Sequence, residues 1–353
     1  MVAQSPVSAP DPPSDLLVSV LIVNFNSGTY LARCLEALRR QTVTRFEVLL
    51  LDNASRDGSL ERARAAAGDL SVRFEASAEN LGFAAGNNRL AARARAPLLA
   101  LLNPDAIPAP DWLERLLTAA AEHPEVAMFG STQLALGDPQ RFDGVGDAYF
   151  AAGLPWRGGH GRPARALPPR FESFAPCAAA ALYRRDGFMT LGGFDARYFC
   201  YVEDVDLAFR WRLAGGRALQ VSDAIVQHAG SISAGAAPSG FAAYHGMRNL
   251  IWTFVKNMPG PLFWPLLPAH AALVKLLLLR ALLQGNGRPA WRGIVHAVAA
   301  LPAIWAERRA VQARRRASVW RIAAALNWAP WRMFERMPQI VGLSAGRPSA
   351  TRP

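Results

Sequence analysis

The sequence predicts an α/β fold, a mostly parallel sheet flanked by helices, with a C-terminal helical, basic, Trp-rich appendage. Three observations predict it. β-branched apolar runs alternate with helical patterns from Val18 onward, polar clusters stand where the runs end, and the composition changes near Phe241. Residues 18–26 form the initial run, ending in Asn24-Phe25-Asn26-Ser27, and the helical spacing of Tyr30, Leu31, Cys34, Leu35 and Leu38 follows at once. The unit recurs: residues 46–51 run into Asp52-Asn53-Ala54-Ser55-Arg56-Asp57-Gly58-Ser59, then a helix through Ala67, then a short strand near residues 72–74. Such alternation calls for a parallel sheet covered on both faces, and ligands of these sheets bind beyond the carboxyl ends of the strands. Asn24, Asn26, Asp52 and Asn53 occupy those ends.

Residues 97–102 read as a further buried strand that closes on Asn103-Pro104-Asp105-Ala106, with Pro108 and Pro110 barring an immediate helix. Residues 137–172 are rich in Gly, Pro and Arg and weakly periodic, and read as a long irregular excursion facing substrate. The organisation expected is a disordered Pro/Ser leader over residues 1–16, without the basic and apolar regions of an export signal, an α/β domain over 17–240, and a helical region over 241–353.

The 353 residues, 51% hydrophobic, suffice for one large domain with an appendage or two modest ones. The net charge of +12 is unevenly placed: residues 241–353 hold sixteen Lys and Arg against two Glu, and seven of the ten Trp. Trp beside Arg suits a lipid headgroup boundary. Nucleic acid is excluded as a partner because no helix-turn-helix or zinc-finger spacing occurs and the region is too apolar for a phosphate-binding arm. Three cysteines, Cys34, Cys177 and Cys200, with no metal spacing and no even count, indicate the cytosol.

Several clusters could carry chemistry, and each has a plainer reading. Asp52 and Asn53 either cap a helix or read the imide edge of a pyrimidine. Asn80-Leu81-Gly82-Phe83 with Gly86-Asn87-Asn88 is either a glycine-containing turn or a helix start whose free N–H groups meet phosphate oxygens. Asp105, on its proline-stiffened loop, is a surface acid or a ligand for Mg²⁺ or Mn²⁺. The run Glu203-Asp204-Val205-Asp206 either answers a helix dipole or supplies a general base. If a helix begins near Asp204, Asp206 pairs with Arg210 at i,i+4 and is structural, which leaves Asp204, with Glu203 beside it, as the candidate base. His228 follows the apolar run 224–226, where a lone His is commonly structural.

Taken in order, Leu51-Asp52-Asn53-Ala54-Ser55, Asn80-Leu81-Gly82-Phe83, Gly86-Asn87-Asn88, Leu102-Asn103-Pro104-Asp105, Gly193-Phe194-Asp195, Glu203-Asp204-Val205-Asp206-Leu207 and His228 resemble family 2 glycosyltransferases of the rhamnosyltransferase-like kind, from about Val18 to Ser233. The resemblance implies a GT-A fold and inverting transfer of a sugar, rhamnose or another deoxyhexose or hexose, from a dTDP- or UDP-sugar to a glycan or lipid-linked acceptor in cell-surface polysaccharide synthesis. It places a nucleobase contact at Asp52 with Asn53 nearby, metal ligation at Asp105 and His228, and the catalytic base at Asp204. The Asp-x-Asp position reads Asn103-Pro104-Asp105 here, so one carboxylate stands where the pattern has two. The rival readings are a non-catalytic nucleotide- or carbohydrate-binding scaffold and a sugar nucleotidyltransferase. The latter lacks its long Gly/Arg-rich phosphate loop, since Asn24-Phe25-Asn26-Ser27-Gly28 stands there instead.

Residues 262–283 are the most hydrophobic window, but Pro265, Pro268, Lys275 and Arg280 interrupt it. The expectation is amphipathic helices lying on the inner leaflet of the cytoplasmic membrane, helped by Arg308, Arg309, Arg314, Arg315 and Arg316, with a buried or oligomer-forming helix as the alternative.

Overall fold

The computed structural model describes residues 15–230 and 239–342. The expected leader therefore lies outside the described residues, apart from Asp15 and Leu16.

β1 (Val18–Asn24) is buried along its whole length, as a central parallel strand must be. Its side chains alternate between two cores: Val18, Val20 and Ile22 face one, Leu21 and Val23 the other. α1 (Tyr30–Arg39), β2 (Phe46–Asp52), α2 (Ser59–Ala66) and β3 (Val72–Ala76) continue the alternation. α3 (Gly82–Arg93) then packs across the sheet, where Gly86 is required because a Cβ there would come within 2.9 Å of Val23. β4 (Leu98–Leu102), β5 (Ala106–Pro108), α4 (Trp112–Glu122) and β6 (Met128–Ala135) follow.

The stretch from residue 137 is less irregular than expected. It holds β7 (Asp138–Gly144), β8 (Asp147–Tyr149), β9 (Pro155–Arg157) and β10 (Arg170–Ser173). These strands are short and joined by turns at Gly146, Gly153 and Gly159, all with positive φ, so no run is long enough to show a period. β11 (Ala180–Arg184), α5 (Arg185–Thr190), a 3-10 turn over Ala196–Tyr198, α6 (Glu203–Leu213) and β12 (Ala218–His228) complete the α/β part.

The sheet order is β10-β12-β6-β11-β4-β1-β2-β3. β4, β1, β2 and β3 are parallel, as are β6 and β12, while β11 lies antiparallel between the two groups. The chain goes on as α7 (Ser239–Asn257), α8 (Gly260–Leu283), α9 (Gly287–Ala299), α10 (Leu301–Ala313), α11 (Val319–Ala325) and α12 (Pro330–Phe334).

α7 does not hang free of the sheet domain. Its Lys256 reaches Asp195 and Asp206, each at 2.8 Å, and Asn257 donates to Asp206 at 2.7 Å. α8 is the one helix among the described residues long and apolar enough to cross a membrane, by length and composition alone.

Candidate active site

The centre is assembled by one piece of strand pairing. Pro104 turns the chain after β4, with Ala106 N–H donating to the Asn103 carbonyl at 3.1 Å. The short β5 that follows runs antiparallel to the end of β12, in a register that sets Ala106 opposite His228. Residues 123 positions apart in sequence thereby meet: His228 Nε2 lies 3.2 Å from Asp105 Oδ1 and 3.3 Å from Asn103 Nδ2.

The other ring nitrogen, Nδ1, is 2.8 Å from Asp143 Oδ2, which also takes Arg157 Nη1 at 2.6 Å. A carboxylate on the far nitrogen fixes the ring and aims Nε2 at Asp105, the arrangement that orients metal-binding histidines. Burial works against the charged imidazole, but the Asp105 and Asp143 carboxylates outweigh it and His228 is pushed up to about 9. Burial likewise opposes the charge on Asp143, yet its histidine and arginine neighbours hold it far below the usual carboxylate range.

Asp105 Oδ1 is close to His228 but lacks hydrogen-bond geometry, so it stands as a buried carboxylate oxygen without a hydrogen-bond partner among the described residues. An unsatisfied oxygen beside an oriented imidazole is a donor set that fits a hard divalent cation. The ion would take the place of the Nε2 proton.

The acids of α6 stand across a cavity of about 240 Å³ whose lining includes Asn103, Asp147, Arg157, Cys177, Glu203 and Asp204. Asp105 and His228 are not in that lining. They sit behind Asn103, which touches both the cavity and the histidine ring.

Asp204 accepts from the N–H groups of Ala178 at 3.0 Å and Val205 at 2.8 Å. Burial raises its pKa, and these N–H bonds and Arg157 oppose the rise. Glu203 is more deeply placed, its Oε2 has no partner, and burial and the Asp204 charge push its pKa well up. Asp206 takes the structural part expected of it. It is fully buried and bonded to Arg210 at 2.9 Å, and although burial would raise its pKa, Lys256 and Arg210 hold it low.

Asp147, Cys177 and Asp204 bring their ligand atoms within 4.8 Å of one another, a second group able to hold a cation.

The residues expected at the nucleotide lie at the carboxyl ends of β1 and β2 and at the start of α3. Asn24 Nδ2 donates to Asp52 at 2.7 Å, and Ser55 N–H donates to the other Asp52 oxygen at 3.0 Å. Asn26, exposed with φ 48°, caps Arg56 N–H at 2.9 Å. Asn53 holds Leu81 and Gly82 through both ends of its amide, Asn87 bonds back to Phe83 at 3.0 Å, and Asn88 clasps both backbone groups of Phe194. Gly82, with φ +80°, lies against Phe199, where a Cβ would come within 2.6 Å of the ring. The N–H groups of Leu81, Gly82 and Ala84 at the α3 start are engaged by Asn53, Asn80 and the Phe199 carbonyl. These three of the N–H groups expected to be free are in use by the fold.

Asp143, Asp147, Arg157 and Cys177 escaped sequence reasoning. Asp147 and Arg157 are cross-strand partners in the β8–β9 hairpin, and the signal that could have found them was two tight glycine turns bracketing charged residues.

The mostly parallel central sheet, flanked by helices and with polar residues at the carboxyl ends of β1 and β2, is that of the GT-A fold. Residues 19–192 match glycosyl transferase family 2, and the chain is similar to rhamnosyltransferase-like members of that family. It is 29% identical over 306 residues, 77% of this chain and 96% of the relative, to an N-acetylglucosaminyl-diphospho-decaprenol L-rhamnosyltransferase of Mycobacterium tuberculosis. Among solved structures, the mannosyltransferase PcManGT from Pyrobaculum calidifontis, in complex with GDP-Man and Mn²⁺, superposes with a TM-score of 0.51 at 19% identity, covering 86% of this chain and 89% of that one. S. aureus TarS 1–349 in complex with UDP gives 0.50 at 15% identity, over 73% of this chain and 72% of that one.

Proposed function

We propose that this chain transfers a deoxyhexose, with rhamnose the leading candidate, from a dTDP- or UDP-activated donor to a sugar hydroxyl of a lipid-linked acceptor, with inversion, in the making of a cell-surface polysaccharide. The observation that carries the reading is the β5–β12 register, which brings Asp105 and His228 together, next to Asn103, a residue that lines the same cavity as Asp204. The rhamnosyltransferase likeness, which spans nearly all of that relative, supports the sugar and an acceptor of the N-acetylglucosaminyl-diphospho-polyprenol type.

A divalent cation, Mg²⁺ or Mn²⁺, held by Asp105 and His228 would neutralise charge on the departing nucleoside diphosphate as a Lewis acid. Asn24, Asn26, Asp52, Asn53, Gly82, Asn87, Asn88 and Asn103 shape the donor side. The acceptor oxygen attacks the anomeric carbon, the bond to the diphosphate breaks with its electron pair leaving on the diphosphate, and the hydroxyl proton passes to Asp204. A raised pKa suits Asp204 to that task near neutral pH. No enzyme nucleophile is needed.

Residues 17–240 carry the reaction in this reading, and 241–353 hold it at the inner leaflet. The support is a face of exposed apolar side chains on α8, α9 and α11, set among the arginines of a strongly basic segment.

Asp204→Asn is the test. Transfer should fall by roughly 10²–10⁴-fold, the usual worth of a general base, while donor affinity measured by calorimetry stays put. Turnover retained in that variant moves the base to Asp147 or Glu203.

A further inference from the structure

A second cavity, of about 380 Å³, opens beside the one that holds Asp204. The two share a wall made of Pro155, Tyr201 and Val202. Beyond that wall the lining changes from acids to apolar groups, chiefly Met247 and Leu250 of α7 with Leu277 and Ala281 of α8. The space beside Gly246 is open, and a Cβ there would meet nothing within 4 Å. Arg280 is the one charged residue in this lining; it is exposed and its side chain has no partner among the described residues.

The wall itself is strained. Tyr201 and Val202 both have φ 70°, a conformation that a β-branched side chain rarely adopts, and such strain gathers at ligand sites. α8 also turns Leu276, Leu279 and Leu283 to the outside, so the helix that lines the groove carries an exposed apolar surface as well.

We propose that this groove takes the hydrocarbon chain of the acceptor, a polyisoprenyl or similar long-chain alcohol, with Arg280 against the diphosphate that joins chain to sugar. The proposal rests on the acceptor reading given above. Apolar lining suits the chain, a lone unpaired guanidinium suits a diphosphate, and continuity across one wall places the attached sugar beside Asp204. A chain entering from a bilayer reaches the groove along the outer face of α8.

The test compares two acceptors in detergent solution, where vesicle binding plays no part: N-acetylglucosaminyl-diphospho-decaprenol, and the same sugar diphosphate esterified to methanol. In Ala281→Trp, which fills the groove, KM for the long-chain acceptor should rise at least about tenfold, the worth of one or two lost methylene contacts, with KM for the methyl ester unchanged. Arg280→Ala, at an exposed side chain without partners, should raise KM for both. If Ala281→Trp leaves the ratio of the two KM values as in the wild type, the groove assignment is overturned while the acceptor reading stands. A change of oligomeric state without a change in that ratio overturns it equally, by assigning the surface to a second copy. A wild-type protein that binds donor yet transfers to neither acceptor overturns the acceptor reading, and the groove falls with it.

Discussion

Glu203 and Asp204 are neighbours in opposite circumstances. Asp204 accepts two backbone N–H groups at the cavity, whereas Glu203 is buried with one oxygen unpartnered and its pKa driven well above the ordinary 4.5 by burial and by Asp204. The folded chain thus holds the Glu203 proton to higher pH than the unfolded chain does. Its contribution to stability is full below about 4.5 and is lost as pH climbs toward the raised folded value. Glu203→Gln should therefore melt at higher temperature than the wild type by a margin that grows from about pH 4.5 upward, as a series of melting curves would read. Its transfer rate should stay within about tenfold of wild type, since a group that keeps its proton makes a poor base. Asp204, Asp105 and His228 were singled out in the sequence by their place in an ordered set of motifs, His228 by itself being indistinguishable from a structural histidine. Asp143, which aims the His228 ring, was not: an aspartate among glycines and arginines looks like any turn residue until β12 brings the ring to it.

At the scale of elements, the parallel half was legible because β1 and β2 are short apolar runs with polar ends. The insertion of β11 antiparallel between β4 and β6 was not, because residues 180–184 carry no mark of direction. The region from Phe241 was set apart by its charge and Trp content, properties that say nothing about contacts. α7 in fact grips the loop that leads into α6. Asn249 Nδ2 lies 3.0, 2.9 and 2.8 Å from the carbonyls of Tyr198, Cys200 and Tyr201, and Arg248 Nη2 bonds to the Arg197 and Tyr198 carbonyls. These bonds hold Phe199, Tyr201 and Val202 at positive φ and so fix where Asp204 stands. Asn249→Ala should lower stability by about 1–3 kcal/mol through orphaned carbonyls. As a positioning residue it should also lower kcat by about 10²-fold with donor affinity unchanged; a loss of stability with kcat intact would make it structural only.

Over the whole molecule, the sheet edge with its acids and the exposed apolar face of the C-terminal helices belong to one chain with strongly segregated charge. Trp320 and Leu283 are 84% and 82% exposed, and Trp331 and Phe334 lie open beside Arg332 and Arg336. Burying such a face at an anionic surface gains both apolar contact and Coulomb attraction. The purified chain should sediment with anionic vesicles at moderate salt, less so as salt rises, and Trp320→Ala with Trp331→Ala should weaken it. Indifference to anionic vesicles removes the membrane from the account. The central claim, a single displacement driven by a carboxylate base and assisted by a cation, is tested most directly by the anomeric configuration of the product, read by NMR from a donor of known configuration. The account predicts that the transferred sugar is inverted; a product with the donor's configuration would contradict it.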